Sequence, residues 1–249
     1  MLHFAYGIAN EDIIYFREGI PRVFGRMLFI GFPEAYPLCR IHKKCNAHCP
    51  FCSAHRGRGD LELAILEECV DEMVGAGAVD RVSITGGEPL IVGDSLRLNR
   101  LFDILDQCGL DYYALTTNGR YLARNFVMLD TLSKLKYLNV SRHHYDDEEN
   151  RRVFGDRSIP GLDEITGIFG LFGGKPLEFR LNCTLYPGAD AEFVNRYIQT
   201  AAGAGISSIL FRSDYFSRPD PALRHVQKPA ERTQGIDQVQ VRVRKRFRR

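Results

Sequence analysis

From about residue 36 onward, short β-prone runs alternate with longer stretches of helical period, and no other feature restricts the fold as tightly. The pattern predicts strands at Tyr36–Ile41, Arg81–Thr85, Tyr112–Thr116, Lys136–Ser141, Leu177–Leu185 and Ser207–Arg212. Helices are expected between them. Leu61–Ala76 sets Leu63, Leu66, Val70, Met73 and Val74 near helical spacing behind Asp60 as a cap. Ser95–Gln107 does the same with Leu98, Leu101, Phe102 and Leu105, ahead of Gly109. Leu122–Leu135, Leu162–Phe172 and Ala191–Ala204 complete the set. Strand, helix and strand joined by short links imply parallel pairing with right-handed crossovers. Six such units are too few to close an eightfold ring. The expected fold class is therefore α/β: a partial (β/α)6, TIM-like barrel of parallel strands with helices outside.

Two segments flank this rhythm, giving an expected division into an extension (1–35), a barrel (36–216) and a tail (217–249). The extension is mixed, rich in Phe and Gly, and suited to an extra strand or a lid. The tail opens on Arg218-Pro219-Asp220-Pro221 and then loses its hydrophobic period, although Gln238–Arg244 alternates like an edge strand. Charge sharpens the division. The formal net charge of +2 comes from 33 Lys+Arg against 31 Asp+Glu, but Arg242–Arg249 hold six cations and no anion. The body is thus mildly acidic, and the basic tail is expected outside the motif-bearing fold, solvated rather than bound to nucleic acid. With 45% hydrophobic and 26% charged residues, disordered and collagen-like classes are excluded. No apolar run is long enough to cross a membrane, and the N-terminus lacks a basic start followed by an apolar stretch. A cytoplasmic location without membrane partners is expected.

A chain with no export signal uses cysteines as thiols, metal ligands or redox groups rather than in disulfides. Of 7 cysteines, Cys39, Cys45, Cys49 and Cys52 fall within one short stretch, while Cys69, Cys108 and Cys183 are scattered. Cys45-Asn46-Ala47-His48-Cys49-Pro50-Phe51-Cys52 is a Cys-x3-Cys-x2-Cys loop directly after the first expected strand. Three soft ligands this close suit either zinc or an iron–sulfur cluster. Zinc would take a fourth ligand from Cys39, His42, His48 or His55. A four-iron cluster on three thiolates leaves one iron open for a substrate or cofactor. Spacing alone leaves both readings standing.

The loop resembles that of the radical S-adenosylmethionine (SAM) superfamily, including an aromatic residue, Phe51, just before the third cysteine. A second resemblance is Gly86-Gly87-Glu88-Pro89 after the strand Val82-Ser83-Ile84-Thr85, at a distance that leaves room for one helix and one strand. The motif pattern is most similar to the molybdopterin-precursor cyclase and peptide-maturase branch. The resemblance implies that Cys45, Cys49 and Cys52 hold a [4Fe-4S] cluster and carry the catalysis. It also implies that SAM binds the open iron, and that its reductive cleavage yields a 5′-deoxyadenosyl radical. Glu88 would help position the amino group of SAM, Gly86 and Gly87 would let the backbone approach it, Pro89 would fix the turn, and the backbone near Phe51 would contact adenine. An electron donor such as flavodoxin or ferredoxin is implied as well.

Strand ends supply further candidates, because ligands in parallel α/β folds gather at the carboxyl ends of strands. Thr117 and Asn118 belong to a Thr-Asn-Gly segment similar to one near the ribose or substrate in the family. Ser141 ends the fourth strand, where relatives place a serine against the methionine part. The chain then departs from the family's Ser-x-Asp pattern and reads Arg142-His143-His144-Tyr145-Asp146, making His143, His144 and Tyr145 candidates for substrate recognition. A histidine can donate, accept or exchange a proton near neutrality, and neighbouring residues on a strand face opposite sides. On the fifth strand Arg180, Asn182 and Thr184 alternate with Phe179, Leu181 and Cys183, which puts the polar set on one face. Arg180, Asn182 and, on the sixth strand, Arg212 are candidates to bind the cofactor; a guanidinium fork suits a carboxylate. Cys39 and Cys183 are candidate hydrogen-atom donors near the site.

No cysteine follows Cys183, so a minimal form without an auxiliary-cluster extension is expected, and the segment before the barrel is too short for a corrinoid domain. The favoured expectation is an enzyme that abstracts hydrogen from a small molecule or peptide, leading to rearrangement, cyclisation, epimerisation or oxidation. Two alternatives stand beside it: an activating enzyme that installs a glycyl radical on a larger partner, and a zinc-stabilised module that binds nucleic acid.

Overall fold

A computed structural model of the chain describes residues 4–7, 13–16, 22–24, 27–30, 45–52, 63–75, 81–85, 87–91, 95–122, 134–172, 177–185, 189–213 and 240–244. These fall into two compact units. One is drawn from the chain up to Asn46, from Ser53–Thr117 and from Tyr121–Leu138; the other from Ala47–Cys52, Asn118–Arg120 and the chain from Asn139 onward.

The first unit opens with four short strands, β1 (Phe4–Gly7), β2 (Ile13–Phe16), β3 (Arg22–Phe24) and β4 (Met27–Ile30), each antiparallel to the next. The N-terminal extension thus supplies a meander rather than a single added strand. After helix α1 (Leu63–Gly75), strand β5 (Arg81–Ile84) lies parallel to β4, with Met27 opposite Arg81. Helix α2 (Ser95–Gln107) then leads to β6 (Tyr113–Thr117), parallel to β5 with Val82 opposite Tyr113. Val82, Ile84, Leu98, Leu101, Phe102, Leu105 and Leu115 are all buried, so the apolar faces read from the sequence form this core.

Strand β7 (Leu135–Ser141) begins in the first unit and ends in the second. Leu135, expected to close a helix, instead opens this strand. The rest of that expected helix, residues 123–133, the strand Tyr36–Ile41 and both expected domain boundaries lie outside the described residues.

The second unit contains α3 (Asp147–Phe154), α4 (Leu162–Gly170), β8 (Glu178–Leu185), α5 (Ala191–Gly203), β9 (Ser208–Ser213) and β10 (Gln240–Arg244). β8 and β9 pair in parallel with Leu181 opposite Ile209, and β10 continues in parallel with Gln240 opposite Ser208. The alternating Gln238–Arg244 stretch is therefore a strand at Gln240–Arg244, and the start of the basic tail belongs to the fold. α3 has no counterpart among the expected helices. Its Asp146 cap accepts the Glu149 amide, acids fill its first turn, Arg151 and Arg152 its last, and Gly155 closes it at φ 65°. These are complete capping and dipole signals on a helix with almost no apolar period.

The backbone of Gly119 has φ 87°, and a Cβ there would lie 3.1 Å from Pro160 Cγ and 3.3 Å from Val140 Cγ1. Gly119→Ala should therefore destabilise the protein by about 1–3 kcal/mol. Gly167 sits within α4 with open space around it, so Gly167→Ala should stabilise by about 0.5–1 kcal/mol. Urea midpoints of the two variants check both signs.

Candidate active site

In the first unit, chemistry collects where β5 and β6 end. Gly86 lies outside the described residues; Gly87 is half-buried, and Glu88 and Pro89 are buried. One carboxyl oxygen of Glu88, Oε1, accepts the Leu90 amide at 3.0 Å and the Thr117 hydroxyl at 2.6 Å. Glu88 is 1% exposed. The Gly-Gly-Glu-Pro turn is thus tied by its acid to the carboxyl end of the neighbouring parallel strand, the side on which α/β sheets take their ligands. Cys45 is half-buried in this unit.

The second unit holds the rest of the cysteine loop. Cys49 and Cys52 are half-buried thiols, and the Cys52 amide donates to the Cys49 carbonyl at 3.0 Å. Ala47 is buried, and the His48 amide donates to the Phe154 carbonyl at 2.7 Å. Gly155 lies beside this contact at φ 65°, a backbone conformation that favours glycine. Helix α3, which the hydrophobic pattern did not reveal, therefore docks the loop that carries two of the three cysteines.

Immediately after β7 the chain folds into a buried knot. Ser141 is half-buried at the strand end. Arg142 is 1% exposed; its Nη2 donates to the Tyr145 carbonyl at 2.7 Å and pairs with Asp147 Oδ1 at 2.6 Å. Asn150, fully buried, accepts the amides of His143 (2.8 Å) and His144 (3.3 Å) on its Oδ1. The histidines thus lie beyond the strand, not on its two faces. His143 is buried between Phe51, an edge contact with centroids 4.7 Å apart, and Phe154 at 4.8 Å. Its Nδ1 accepts the Thr184 amide at 3.0 Å. Burial, with a smaller push from the Arg212 guanidinium, lowers its pKa from 6.5 to about 3. That environment favours the neutral ring over the protonated one. His144 is half-exposed and packs on Tyr145 and Phe193; burial lowers its pKa too.

On β8 the polar and apolar sets do not separate into wet and dry faces. Leu181, Asn182 and Cys183 are all buried, as befits a parallel strand covered on both sides. Arg180 is half-buried and donates from Nε to Ser208 Oγ at 3.1 Å. Asn182 Oδ1 is buried with no hydrogen-bond partner, so this strand presents a desolvated acceptor. Asn118 is buried and caps its own turn by accepting the Arg120 amide. Arg212 is half-buried on β9, in register with Thr184. Cys183 is fully buried, and desolvation holds its thiol protonated. Arg142, Asp147, Asn150 and Phe154 were not candidates from sequence; the signal that marks them is the run of acids, then bases, then Gly155 that delimits α3.

The donor set fits an iron–sulfur cluster: three thiols on one short loop, none in a disulfide, all half-buried. Among the described residues, no three His, Cys, Asp or Glu side chains converge on a point suited to a single ion. Residues 40–165 match the model of the radical SAM superfamily. The chain belongs to the radical SAM superfamily.

This radical SAM chain is 31% identical over 174 residues to a GTP 3′,8-cyclase of Xanthomonas axonopodis pv. citri, a match covering 66% of this chain and 51% of that protein. It is 29% identical over 188 residues to a probable GTP 3′,8-cyclase of Pyrobaculum aerophilum, covering 72% and 58%. The chain spans about half the length of the curated relatives it matches. Among solved structures, Streptococcus suis SuiB superposes with TM-score 0.51 at 18% identity, over 80% of this chain and 42% of that one. Queuine lyase from Clostridium spiroforme, bound to SAM and queuine, gives TM-score 0.51 at 10% identity, over 89% and 83%. These likenesses show the α/β, TIM-like fold. Family membership makes the chain a radical SAM enzyme, with the [4Fe-4S] cluster and SAM as the family's cofactors, and it sets aside the zinc-stabilised module. Among the described residues no helix is long and apolar enough to cross a membrane.

Two outcomes test this geometry. Thr117→Val removes a buried hydroxyl donor from Glu88 and should cost about 1–3 kcal/mol of stability, measured by denaturant titration. For His143, the unfolded chain binds more protons than the folded one between pH 6.5 and about 3. Its contribution to stability is therefore complete above pH 6.5 and is lost as the pH falls toward 3, by up to about 1.4 kcal/mol per pH unit. Urea midpoints of the wild type should fall more steeply across that window than those of His143→Asn.

Proposed function

We propose that this enzyme cleaves SAM reductively at a [4Fe-4S] cluster held by Cys45, Cys49 and Cys52, and abstracts hydrogen from a small-molecule or peptide substrate. When bound, the cluster supplies the electron that splits the sulfonium carbon–sulfur bond and yields the 5′-deoxyadenosyl radical. The observation that carries the reading is the Cys-x3-Cys-x2-Cys loop of half-buried thiols in a chain whose residues 40–165 match the family.

This chain's residues have distinct parts in that work. Glu88, held by Thr117 and the Leu90 amide, offers a fixed carboxyl group to the amino end of SAM. Gly87 and Pro89 flank it in the turn that brings it there, and Gly86 belongs to the same motif. Phe51, Thr117, Asn118 and Ser141 stand for the adenine, ribose and methionine contacts. Arg180 and Arg212 supply cations, and Asn182 supplies a buried acceptor for a hydroxyl or amine donor. His144 and Tyr145, half-exposed beside Phe193, contribute aromatic surface for substrate. His143 is buried and neutral, so any part it plays in recognition is that of a fixed group.

Among the outcomes open to the radical, ring closure is favoured, because the matched curated relatives are named GTP 3′,8-cyclases. The substrate is taken to be a small molecule or peptide; the SuiB neighbour has been solved with its precursor peptide. A flavodoxin or ferredoxin is the class of electron donor, and a cytoplasmic location agrees with one. The glycyl-radical activating role has no observation in its favour.

Anaerobically reconstituted protein should contain about four irons and four sulfides per chain and release 5′-deoxyadenosine from SAM under dithionite. Cys49→Ala should lower that release at least about a hundredfold, as loss of an essential ligand requires. Zinc at one per chain with no SAM cleavage, or full cleavage by Cys49→Ala, would overturn the assignment.

A further inference from the structure

His143 is the side chain in which the cysteine loop, helix α3 and strand β8 meet. Its ring lies edge-on to Phe51 with centroids 4.7 Å apart and an interplanar angle of 82°, and 4.8 Å from Phe154 on the other contact. Its backbone amide is held by Asn150 Oδ1 at 2.8 Å, and its Nδ1 accepts the Thr184 amide at 3.0 Å. These contacts leave the ring little choice. A nitrogen that accepts a hydrogen bond carries no proton, so the neutral ring has its hydrogen on Nε2. A ring fixed at its backbone, at Nδ1 and on two aromatic contacts cannot flip without breaking the bond to Thr184.

Phe154 closes the circuit from the other direction. Its carbonyl accepts the His48 amide at 2.7 Å, so the loop touches α3 both through its backbone at His48 and through Phe51, by way of the imidazole. Phe51 itself lies between Cys49 and Cys52. Aromatic pairs have preferred geometries, so a shift of the His143 ring is felt at Phe51 through their edge contact.

We propose that His143 is a positioning residue for the cysteine loop: Thr184 fixes its tautomer and plane, and the fixed ring sets Phe51 and the backbone from Cys49 to Cys52. For catalysis this rests on the reading of that loop as the cluster and SAM site; as a statement about the loop it stands on the apoprotein's own contacts. The imidazole acts here as a shaped wedge with one acceptor, not as an acid or base. Two partial replacements separate its functions. Asn keeps an acceptor near the position of Nδ1 and loses the ring, whereas Phe keeps a ring and leaves the buried Thr184 amide without its acceptor.

The test begins without cofactor. Nitrogen-15 NMR of histidine-labelled apoprotein should show one ring protonated at Nε2 that does not titrate between pH 6 and 9, and this signal should vanish in His143→Asn. Hydrogen exchange at Ala47–Cys52 should accelerate at least about tenfold in His143→Asn, and exchange at Thr184 should accelerate in His143→Phe, as local opening allows. Amides of α4 and α5 should keep wild-type rates and so report that the variants are folded. With reconstituted enzyme, both variants should raise KM for SAM about tenfold with a smaller change in kcat, the mark of lost binding geometry. SAM addition should also perturb the cluster's electron paramagnetic resonance signal less than in wild type.

A His143 ring protonated at Nδ1 or titrating near neutrality, or wild-type loop exchange in folded His143→Asn, would refute the positioning role. If the wild type itself fails to cleave SAM while loop exchange still responds to His143, the cofactor reading falls and the positioning role stands.

Discussion

One buried oxygen, Asn150 Oδ1, holds the turn on which the second unit depends. By accepting the amides of His143 and His144 together, it satisfies two backbone donors that leave the end of β7 and would otherwise be stranded from water. The turn it fixes places Arg142 where Asp147 and the Tyr145 carbonyl meet it, and His143 where Thr184 and two aromatic rings meet it. A buried guanidinium is costly unless paired, so Arg142 keeps Asp147 at the start of α3. Asp147 Oδ1 in turn accepts the Leu162 amide at the start of α4. A segment that departs from the family's Ser-x-Asp pattern is therefore held largely by its own polar residues, although Arg142 Nη1 and Asn150 Nδ2 are buried without hydrogen-bond partners.

That arrangement changes the meaning of the unusual Arg-His-His-Tyr segment. From sequence its His143, His144 and Tyr145 are candidates for substrate recognition. In the structure its first two residues are interior and structural, and its last two, His144 and Tyr145, form a half-exposed aromatic group with Phe193. Burial thus divides four consecutive residues into an interior pair and a half-exposed pair.

Much of the fold is legible in the sequence because it is periodic. β5, β6, β8, β9, α1, α2 and α5 lie within a residue or two of their expected places, since strand and helix periods with Gly, Asp and Ser boundaries are local signals. What escaped was set by tertiary context. α3 has almost no apolar period and is stable through caps, charges and the docking of Phe154. The N-terminal strands are only three or four residues long, below the length at which alternation declares itself. The alternation along β8 tells which residues share a face but not how wet that face is, and a strand covered on both faces buries Asn182 as well as Leu181. At the site, motif spacing marked Glu88 and Thr117 separately, but only the fold joins them by a hydrogen bond across 29 positions of sequence. The protonation state of His143 is unreadable for the same reason: it is decided first by burial and then by Arg212, both set by parts of the chain remote from it.

The bond from the His48 amide to the Phe154 carbonyl bears on how far the loop can vary in sequence. It involves only backbone, and every residue but proline carries the amide it needs. The segment that carries Cys49 and Cys52 is thereby held to α3 by groups that do not depend on which side chains the loop displays.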